Sequence, residues 1–420
     1  MLTTDATRYL LAYGSARRQW LLAECVCWLT AIGMLQAWIA AILFAQGLRT
    51  GLDQWGNSIA VENKSIVYYL AHGGSIASLL LAGTIAGING SYQRLDTLAR
   101  LAIWLLVLAS TLWAIVAYSL DEMTSAAILG ATGPIVWLSS IIMLAGTEDK
   151  TWDRLEGLVD PMVVTTAILA LGSIYGAGPD SPAAMLRTNH YFSLLFWLAG
   201  WRCLGRTYRD VVWILLDCAM LVILWILALW LQRRSWVIDM GLLTSIYLYT
   251  LGRRAGSLAR PAYGLAILAV ATGAVILTVP SLRQALSGLM GRISEDTRSE
   301  QYRIFFSQVE IGDLVLGLGP KATYYYGPAS PRYQFFDNAY IWMAFIGGLP
   351  ILVSYCLLIL RPGLVALVRS SGQSHQVRAS AIMLGIWALV LGGLGVFSCP
   401  SLNAYHYLVC LMAGLCWASL

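Results

Sequence analysis

The sequence carries little charge. Only 12% of its 420 residues are Asp, Glu, Lys or Arg, whereas these residues make up about 25% of a typical soluble domain. Hydrophobic residues account for 58%, and the mean hydropathy is +0.68. This composition excludes an ordinary soluble domain and a nucleic-acid-binding surface, and it indicates a chain that crosses a membrane several times.

The sequence also lacks the usual motifs of a metal centre and of a disulfide framework. Its eight Cys form no Cys-x-x-Cys pair, and no His-Glu-x-x-His motif occurs. We therefore expect neither a metal nor a cofactor. The first apolar run, residues 20–45, is longer than the core of about 7–15 residues in a cleavable signal peptide, so we expect it to remain as the first span.

Apolar runs of about 20 residues, the length needed to cross the hydrocarbon core, recur along the chain. They predict an all-α, polytopic integral membrane protein with about 12 transmembrane helices in a single domain, residues 1–420. The expected spans are 20–45, 65–88, 98–120, 124–145, 158–176, 183–201, 210–231, 235–251, 260–280, 338–360, 377–397 and 401–419.

Lys and Arg are distributed unevenly between the loops on the two sides of this arrangement. The richer set contains Arg8, Arg17, Arg18, Arg94, Arg100, Lys150, Arg154, Arg202, Arg206, Arg209, Arg253, Arg254, Arg260, Arg361, Arg369 and Arg378. The other short loops contain Arg49, Lys64, Arg187, Arg233 and Arg234. Because cytoplasmic loops carry the excess of positive charge, both termini are predicted inside, and the hydrophilic segment 281–337 is predicted to be a periplasmic loop of a bacterial inner-membrane protein.

The outer loop contains a predicted amphipathic helix over 298–310. Thr297-x-x-Glu300 is a capping box, and Arg303 lies on a different face from an apolar stripe. That stripe consists of Tyr302, Phe305, Phe306 and Val309. Arg303 has two interpretations: an exposed ion pair with Glu310, or a guanidinium that binds a diphosphate.

Further along the outer loop come a glycine turn, Gly317-Leu318-Gly319-Pro320, and an aromatic stretch. The glycines allow close backbone approach, but the turn lacks the pattern of a phosphate loop. The aromatic residues Tyr324, Tyr325 and Tyr326 suit either a membrane-interface belt or platforms for sugar rings. Asp337, directly before an apolar span, is either a helix N-cap or a functional carboxylate.

The order of these pieces resembles the O-antigen ligase/O-antigen polymerase superfamily. The resemblance covers about residues 235–360, and the N-terminal half matches only as a multi-span pattern. Its motifs are short. They are Leu251-Gly252-Arg253-Arg254-Ala255, Arg298-x-x-x-x-Arg303, Leu316-Gly317-Leu318-Gly319-Pro320 and Asp337-Asn338-Ala339-Tyr340.

The resemblance implies an integral-membrane glycosyltransferase of the GT-C type that acts at the periplasmic face. Its donor would be an undecaprenyl-diphosphate-linked glycan. The polymerase branch transfers this glycan to another lipid-linked repeat unit, for O-antigen, capsule or exopolysaccharide, and the ligase branch transfers it to lipid A–core. Ligases usually have His-Asn where this chain has Asp337-Asn338, which favours the polymerase. Its partners would include a chain-length-regulating co-polymerase and a flippase, but no nucleic acid.

Each step of this transfer has candidate residues. Asp337 is the first candidate for the general base, with His190 as the alternative, and Arg303 is the first candidate for stabilising the diphosphate. The remaining substrate-binding candidates are Arg298, Arg233, Arg234, Asn338, Tyr324, Tyr325 and Tyr326. Arg253 and Arg254 match a family motif but are predicted to lie inside. No Asp-x-Asp or Glu-x-Asp occurs in the first outer loops, which favours a metal-free reaction.

A transporter or flippase for lipid-linked glycans is the alternative from another functional class. Such a protein is expected to contain inverted repeats and charge along a central cavity, and the sequence has neither pattern. Two carboxylates nevertheless lie in predicted spans, where charge is costly and usually paired or functional. Asp239 is expected to pair with Arg233 or Arg234, and Asp217 with an arginine such as Arg202.

Overall fold

The computed structural model describes most of the chain. The described residues are 2–52, 58–119, 135–175, 181–206, 211–255, 270, 273–274, 278, 280, 283–284, 287, 297–328, 331–333, 336, 338–369, 373–394 and 402–420. Side chains of 2–16, 52, 58–60, 135, 211, 253–255, 297–298 and 394 are outside the description. The predicted span 260–280 therefore lies almost wholly outside the described residues, and so does Asp337.

Helices dominate the described part of the chain, as the apolar composition predicted. The longer helices are α1 (Leu2–Gly47), α2 (Ile66–Ala86), α3 (Thr97–Ser119), α4 (Asp149–Tyr175), α5 (Pro182–Gly205), α6 (Val211–Trp230), α7 (Arg234–Ala255), α8 (Thr297–Phe306), α9 (Ile311–Leu316), α10 (Ala339–Tyr355), α11 (Arg361–Val368), α12 (His375–Leu389) and α13 (Ala404–Ala418). Short π-helical turns follow α2, α10 and α12, at Gly87–Ser91, Cys356–Leu360 and Val390–Leu394.

Seven helical stretches within the described residues are long and apolar enough to cross a membrane. They are Arg17–Gly47, Ile66–Arg94, Thr97–Ser119, Asp149–Tyr175, Val212–Trp230, Ala339–Val368 and His375–Gly393. The protein is therefore an all-α membrane protein. The predicted spans at 20–45, 65–88 and 98–120 agree with these bounds to within a few residues at most ends, because a long apolar run determines its own position.

Two predicted spans differ from the helices observed. In place of the span at 124–145, the described residues 135–146 form two short α-helical segments, Ile135–Leu138 and Met143–Gly146, on either side of a 3-10 turn. The helix predicted at 158–176 begins earlier, at Asp149, because its first turns carry charged residues that form ion pairs outside the apolar region.

A β-hairpin between α1 and α2 was not predicted from the sequence. Strands β1 (Leu48–Leu52) and β2 (Ser58–Glu62) pair antiparallel, with Leu48 opposite Glu62. Arg187 of α5 anchors the start of β1, because its guanidinium donates to the carbonyls of Ala45 (3.1 Å) and Leu48 (2.7 Å). This contact ties the end of α1 to the start of α5.

Ion pairs cluster where α3, α4 and α11 begin and where α5 ends, a region of the bundle that we call the charged end. The pairs are Lys150–Glu24 (2.9 Å), Arg154–Glu24 (2.5 Å), Arg202–Asp160 (2.9 Å), Arg206–Asp160 (2.6 Å), Arg202–Glu156 (3.1 Å) and Arg361–Asp96 (2.5 Å). Arg202 is bidentate on Asp160, which was not the partner expected for it. The pairs join loops that the distribution of Lys and Arg assigns to one side of the membrane.

Candidate functional site

The opposite end of the bundle, which we call the aromatic end, is where α10 begins and where α8 and α9 lie. The helix predicted over 298–310 is confirmed only as far as Phe306, and the predicted continuation to residue 310 is wrong. Helix α8 ends at Phe306, and α9 begins at Ile311. The backbone N–H of Glu310 donates to Asp313 Oδ2 (2.9 Å), in a capping box that starts the second helix.

Helix α8 packs on the membrane helices through its aromatic residues. Phe305 is fully buried and contacts the rings of Tyr324, Phe336 and Phe345, with ring centroids 5.1, 4.7 and 5.1 Å away. These distances suit edge-to-face and tilted aromatic packing. The predicted apolar stripe is thus largely confirmed, although Phe306 is about half exposed.

Arg303 lies on the exposed side of α8. The ion pair with Glu310 that the sequence offered as an explanation does not form, and within the described residues no ion pair or hydrogen bond involves the Arg303 side chain. Glu310 serves instead in the capping box of α9. Arg303 is therefore a solvent-facing guanidinium on a helix whose other side is fixed by packing.

Asn338 connects three elements of the aromatic end. Its Oδ1 accepts bonds from the backbone N–H groups of Tyr340 (3.0 Å) and Ile341 (3.3 Å), so Asn338 is the N-cap of α10. The N-cap role considered for Asp337 is therefore wrong. The Asn338 Nδ2 donates to the Tyr302 hydroxyl (3.1 Å) and to the Gly392 carbonyl (3.4 Å). Asn338 thus positions α8 against α10 and against the turn after α12.

The glycine turn packs into a break in α10. Pro350 has no backbone N–H, so the Ile346 carbonyl has no donor four residues later in the helix. Gly348 adopts a positive φ of 76° and interrupts the helix beside it. The two exposed carbonyls, of Phe345 and Ile346, accept bonds from the N–H groups of Leu318 (2.8 Å) and Gly319 (3.0 Å).

Gly317 is required at the closest point of this contact. Its φ is +81°, and a Cβ there would lie 2.5 Å from the Gly348 nitrogen. Gly319 also has a positive φ, and a Cβ there would lie 2.9 Å from the ring of Trp113 in α3. The Gly-x-Gly motif is therefore explained by backbone-to-backbone packing rather than by phosphate binding.

The three tyrosines of the aromatic stretch have three different environments. Tyr324 is buried, pairs through its backbone with Tyr333 (2.9 and 2.8 Å), and accepts a bond from Gln301 Nε2 (3.0 Å). Tyr326 stacks on Tyr333 with ring centroids 5.3 Å apart. Tyr325 is 51% exposed. Of the three, Tyr325 alone presents most of its ring to a ligand, whereas Tyr324 is a core residue.

Gln308 is a positioning residue that the sequence interpretation missed. Its Oε1 accepts from the Tyr325 N–H (2.9 Å) and its Nε2 donates to the Tyr325 carbonyl (2.8 Å). These two bonds attach the tyrosine stretch to the end of α8. No local signal identifies such a glutamine, because its partner lies far along the chain.

Not all of the other predicted site residues lie at the aromatic end. The His190 ring packs edge-on against Phe44, 4.7 Å away, beside the hairpin. Arg233 and Arg234 lie at the start of α7 and have interactions of their own. The side chain of Arg298 lies outside the described residues, as does all of Asp337.

The prediction that Asp239 forms an ion pair with Arg233 or Arg234 is wrong. Asp239 is 1% exposed, and neither carboxylate oxygen has a hydrogen-bond partner within the described residues. Ser235, one turn earlier on α7, is also buried without a partner for its hydroxyl. No hydrogen bond joins Asp239 to Arg233 or Arg234, although all three residues are described.

The structure thus brings three of the four sequence motifs to one place. The arginine helix α8, the glycine turn and Asn338 meet around the first half of α10, with Arg303 and Tyr325 exposed. In comparisons with known proteins, no family model matches the chain and no curated protein matches it.

Proposed function

We propose that the protein is a polysaccharide polymerase, a membrane glycosyltransferase that uses an undecaprenyl-diphosphate-linked donor. It would transfer the glycan to a second lipid-linked repeat unit at the periplasmic face of a bacterial inner membrane. The finer architecture belongs to the same proposal: about 12 spans in a GT-C-like arrangement, with 281–337 as the periplasmic loop that carries the active site.

The observation that carries this proposal is the exposed Arg303, which has no ion-pair partner among the described residues and lies on a helix fixed by its neighbours. A guanidinium offers paired donors that match the oxygens of a diphosphate, and a charge already paired within the protein is less available to a ligand. Tyr302 directly precedes Arg303 on α8, and the hydrogen bond from Asn338 holds Tyr302 against the start of α10. This contact supports a site that combines Arg303 with residues at the start of α10.

The chemistry needs two groups. A general base takes the proton of the acceptor hydroxyl, the oxygen attacks the anomeric carbon, and the bond to the diphosphate breaks. The leaving undecaprenyl diphosphate carries the negative charge, which Arg303 stabilises. Asp337 is the proposed base, Arg298 is a second cation of the same helix, and Tyr325 is the exposed ring for a sugar face. Partners such as a co-polymerase and a flippase rest on the family resemblance alone.

The test is gel analysis of surface polysaccharide in a deletion strain complemented with variants. Arg303→Ala is expected to abolish long chains at unchanged protein level, and Arg303→Lys to remain impaired because an ammonium lacks the paired donors. Arg332→Ala is the matched control, since Arg332 is an exposed arginine of the same loop outside α8. Normal chains with Arg303→Ala would contradict the role of Arg303.

The same gels separate the alternatives. Single repeat units on lipid A–core in the deletion strain indicate a polymerase, whereas long lipid-linked chains with bare core indicate a ligase. Loss of all lipid-linked units from the periplasmic face indicates a flippase. Asp337→Asn is expected to behave like the deletion; full chains with this variant would exclude Asp337 as the base and make His190 the next residue to test.

A further inference from the structure

Helix α9 and the glycine turn after it expose apolar side chains on the outer surface of the protein. Ile311 is 80% exposed, Leu316 is 76% exposed, and Val315 and Leu318 are also exposed. In water such a cluster is unfavourable, because each buried apolar side chain gains about 1.5–3 kcal/mol over an exposed one. Something apolar is therefore expected to cover this surface.

The glycine turn lies well below the start of α10. Its N–H groups bond to the carbonyls of Phe345 and Ile346. Ile346 is seven residues beyond the first residue of the helix, Ala339, which corresponds to about 10 Å along the axis. Gly319 contacts Trp113, which lies a similar distance before the end of α3 at Ser119. Two independent helices thus place the turn at the same depth.

The surface of α9 adjoins the outward-facing sides of these two helices. On α10, Leu349 and Val353 are exposed, and on α3, Leu112, Ile115 and Val116 are exposed. Both helices belong to stretches long and apolar enough to cross a membrane, so these side chains are the ones that face lipid. The carbonyls of Val315 and Leu316 lie against Gly348, directly beside Leu349.

The turn is compatible with a hydrocarbon environment. There, non-helical backbone is tolerated only where it is buried in protein or lines a water-filled cavity, and Gly317, Gly319 and Pro320 are buried. The N–H of Gly317 donates to the Asp313 carbonyl (2.8 Å), the N–H groups of Leu318 and Gly319 donate into the break of α10, and Pro320 has none. No N–H of residues 317–320 is therefore left without a partner.

We propose that residues 311–319 form a re-entrant segment within the bilayer, with Val315, Leu316 and Leu318 in contact with the acyl chains of the leaflet nearest the start of α10. The occupant is lipid rather than a second copy of the chain, because the surface continues the lipid-facing sides of α3 and α10. This inference rests on the membrane-spanning helices alone, so it stands or falls independently of the proposed enzymatic activity.

The test compares cysteines at two exposed positions of the same loop. Leu316→Cys lies on the proposed lipid face, and Ser307→Cys lies at the end of α8, on its exposed side. Both are made with Cys25→Ser and Cys399→Ser, which remove the native thiol that is exposed among the described residues and the thiol between the last two predicted spans. Open membrane fragments are treated with a water-soluble maleimide. The purified proteins are then labelled with a fluorophore and reconstituted into vesicles that contain phospholipids with brominated acyl chains.

Leu316→Cys is expected to react at least tenfold more slowly than Ser307→Cys, and its fluorophore to be quenched by the brominated chains. Val315→Cys provides a second position if Leu316→Cys does not fold. Equal reaction rates at both positions would overturn the proposal, since the segment would then be in water. Slow reaction without quenching would also overturn it, because protein, for example a second copy of this chain, would then cover the surface.

Discussion

The two ends of the helix bundle use their arginines differently. At the charged end, arginines are paired: Arg202 and Arg206 share Asp160, and Arg361 contacts Asp96. At the aromatic end, Arg303 has no partner within the described part of the chain, and ring packing and backbone hydrogen bonds supply the structure. Where contacts between rings and backbone already fix a surface, its charges remain available to a ligand.

The glycine turn of the aromatic end offers the largest expected effect on stability. Gly317→Ala places a Cβ 2.5 Å from a backbone nitrogen at a φ of +81°. Strain and overpacking together predict a loss of about 2–5 kcal/mol, measured as a lower melting temperature of the purified protein. The control is Gly312→Ala, where a Cβ would meet nothing within 4 Å. Equal effects at both positions would argue against the close contact between Gly317 and α10.

At the charged end, Asp160→Asn is expected to have the next largest effect. It leaves Arg202 and Arg206, whose side chains are mostly buried, without their shared carboxylate. Because Asp160 is about one-third exposed, we expect a loss of about 2 kcal/mol rather than the larger cost of breaking a fully buried pair. Glu62→Gln, which removes the more exposed pair with Lys64, is the comparison and should cost less than about 1 kcal/mol. Thermal unfolding of both variants measures the difference.

Asp239→Asn should have an effect close to zero or favourable. Among the described residues the carboxylate has no donor to lose, and removing an isolated charge from a buried position reduces a desolvation cost. We expect the free energy of unfolding to rise or to change by less than about 1 kcal/mol. Denaturant unfolding of the purified protein measures it. A clear loss of stability would show that Asp239 has a partner outside the described residues.

The smallest expected effect concerns pH at the charged end. The hydrogen bond from Arg361 lowers the pKa of Asp96 below its ordinary value of 3.8, and the backbone N–H of Ala99 contributes. A lowered pKa in the folded state stabilises the protein above pH 3.8, and this contribution is lost as the pH falls through the folded-state pKa. The free energy of unfolding of the wild type should thus exceed that of Asp96→Asn by less than about 1 kcal/mol at neutral pH. At the acid limit the two free energies of unfolding should be equal. A difference that grows on acidification would contradict this pairing.

The sequence predicted well those features that depend on one stretch of chain. The apolar runs located α1, α2 and α3, and the stripe of α8 identified Phe305 and Val309 as buried. It predicted poorly where two local patterns compete. Apolar spacing continues through Val309, but the capping residues Glu310 and Asp313 start a new helix and divide the segment.

Candidate site residues were predicted by type but not by role. The exposed arginine of α8 was identified, since a cation on the polar face of an amphipathic helix points outward. Asn338, by contrast, is an N-cap that also bonds to Tyr302 and Gly392, and Tyr324 is a core ring rather than a platform. These roles depend on partners distant in sequence, which spacing within a motif does not reveal.

The sequence by itself determined that the chain crosses a membrane and where most of its helices lie, because burial in hydrocarbon depends on the length and polarity of each segment alone. Only the tertiary structure decided what the motifs do. The break at Gly348 and Pro350 leaves two helix carbonyls without helical donors, and N–H groups of the glycine turn, some 30 residues earlier in the chain, bond to them. Without the turn these buried backbone groups would be unpaired, which is unfavourable. The same packing leaves Arg303 without an ion-pair partner among the described residues, and this depends on how α8 and α10 meet.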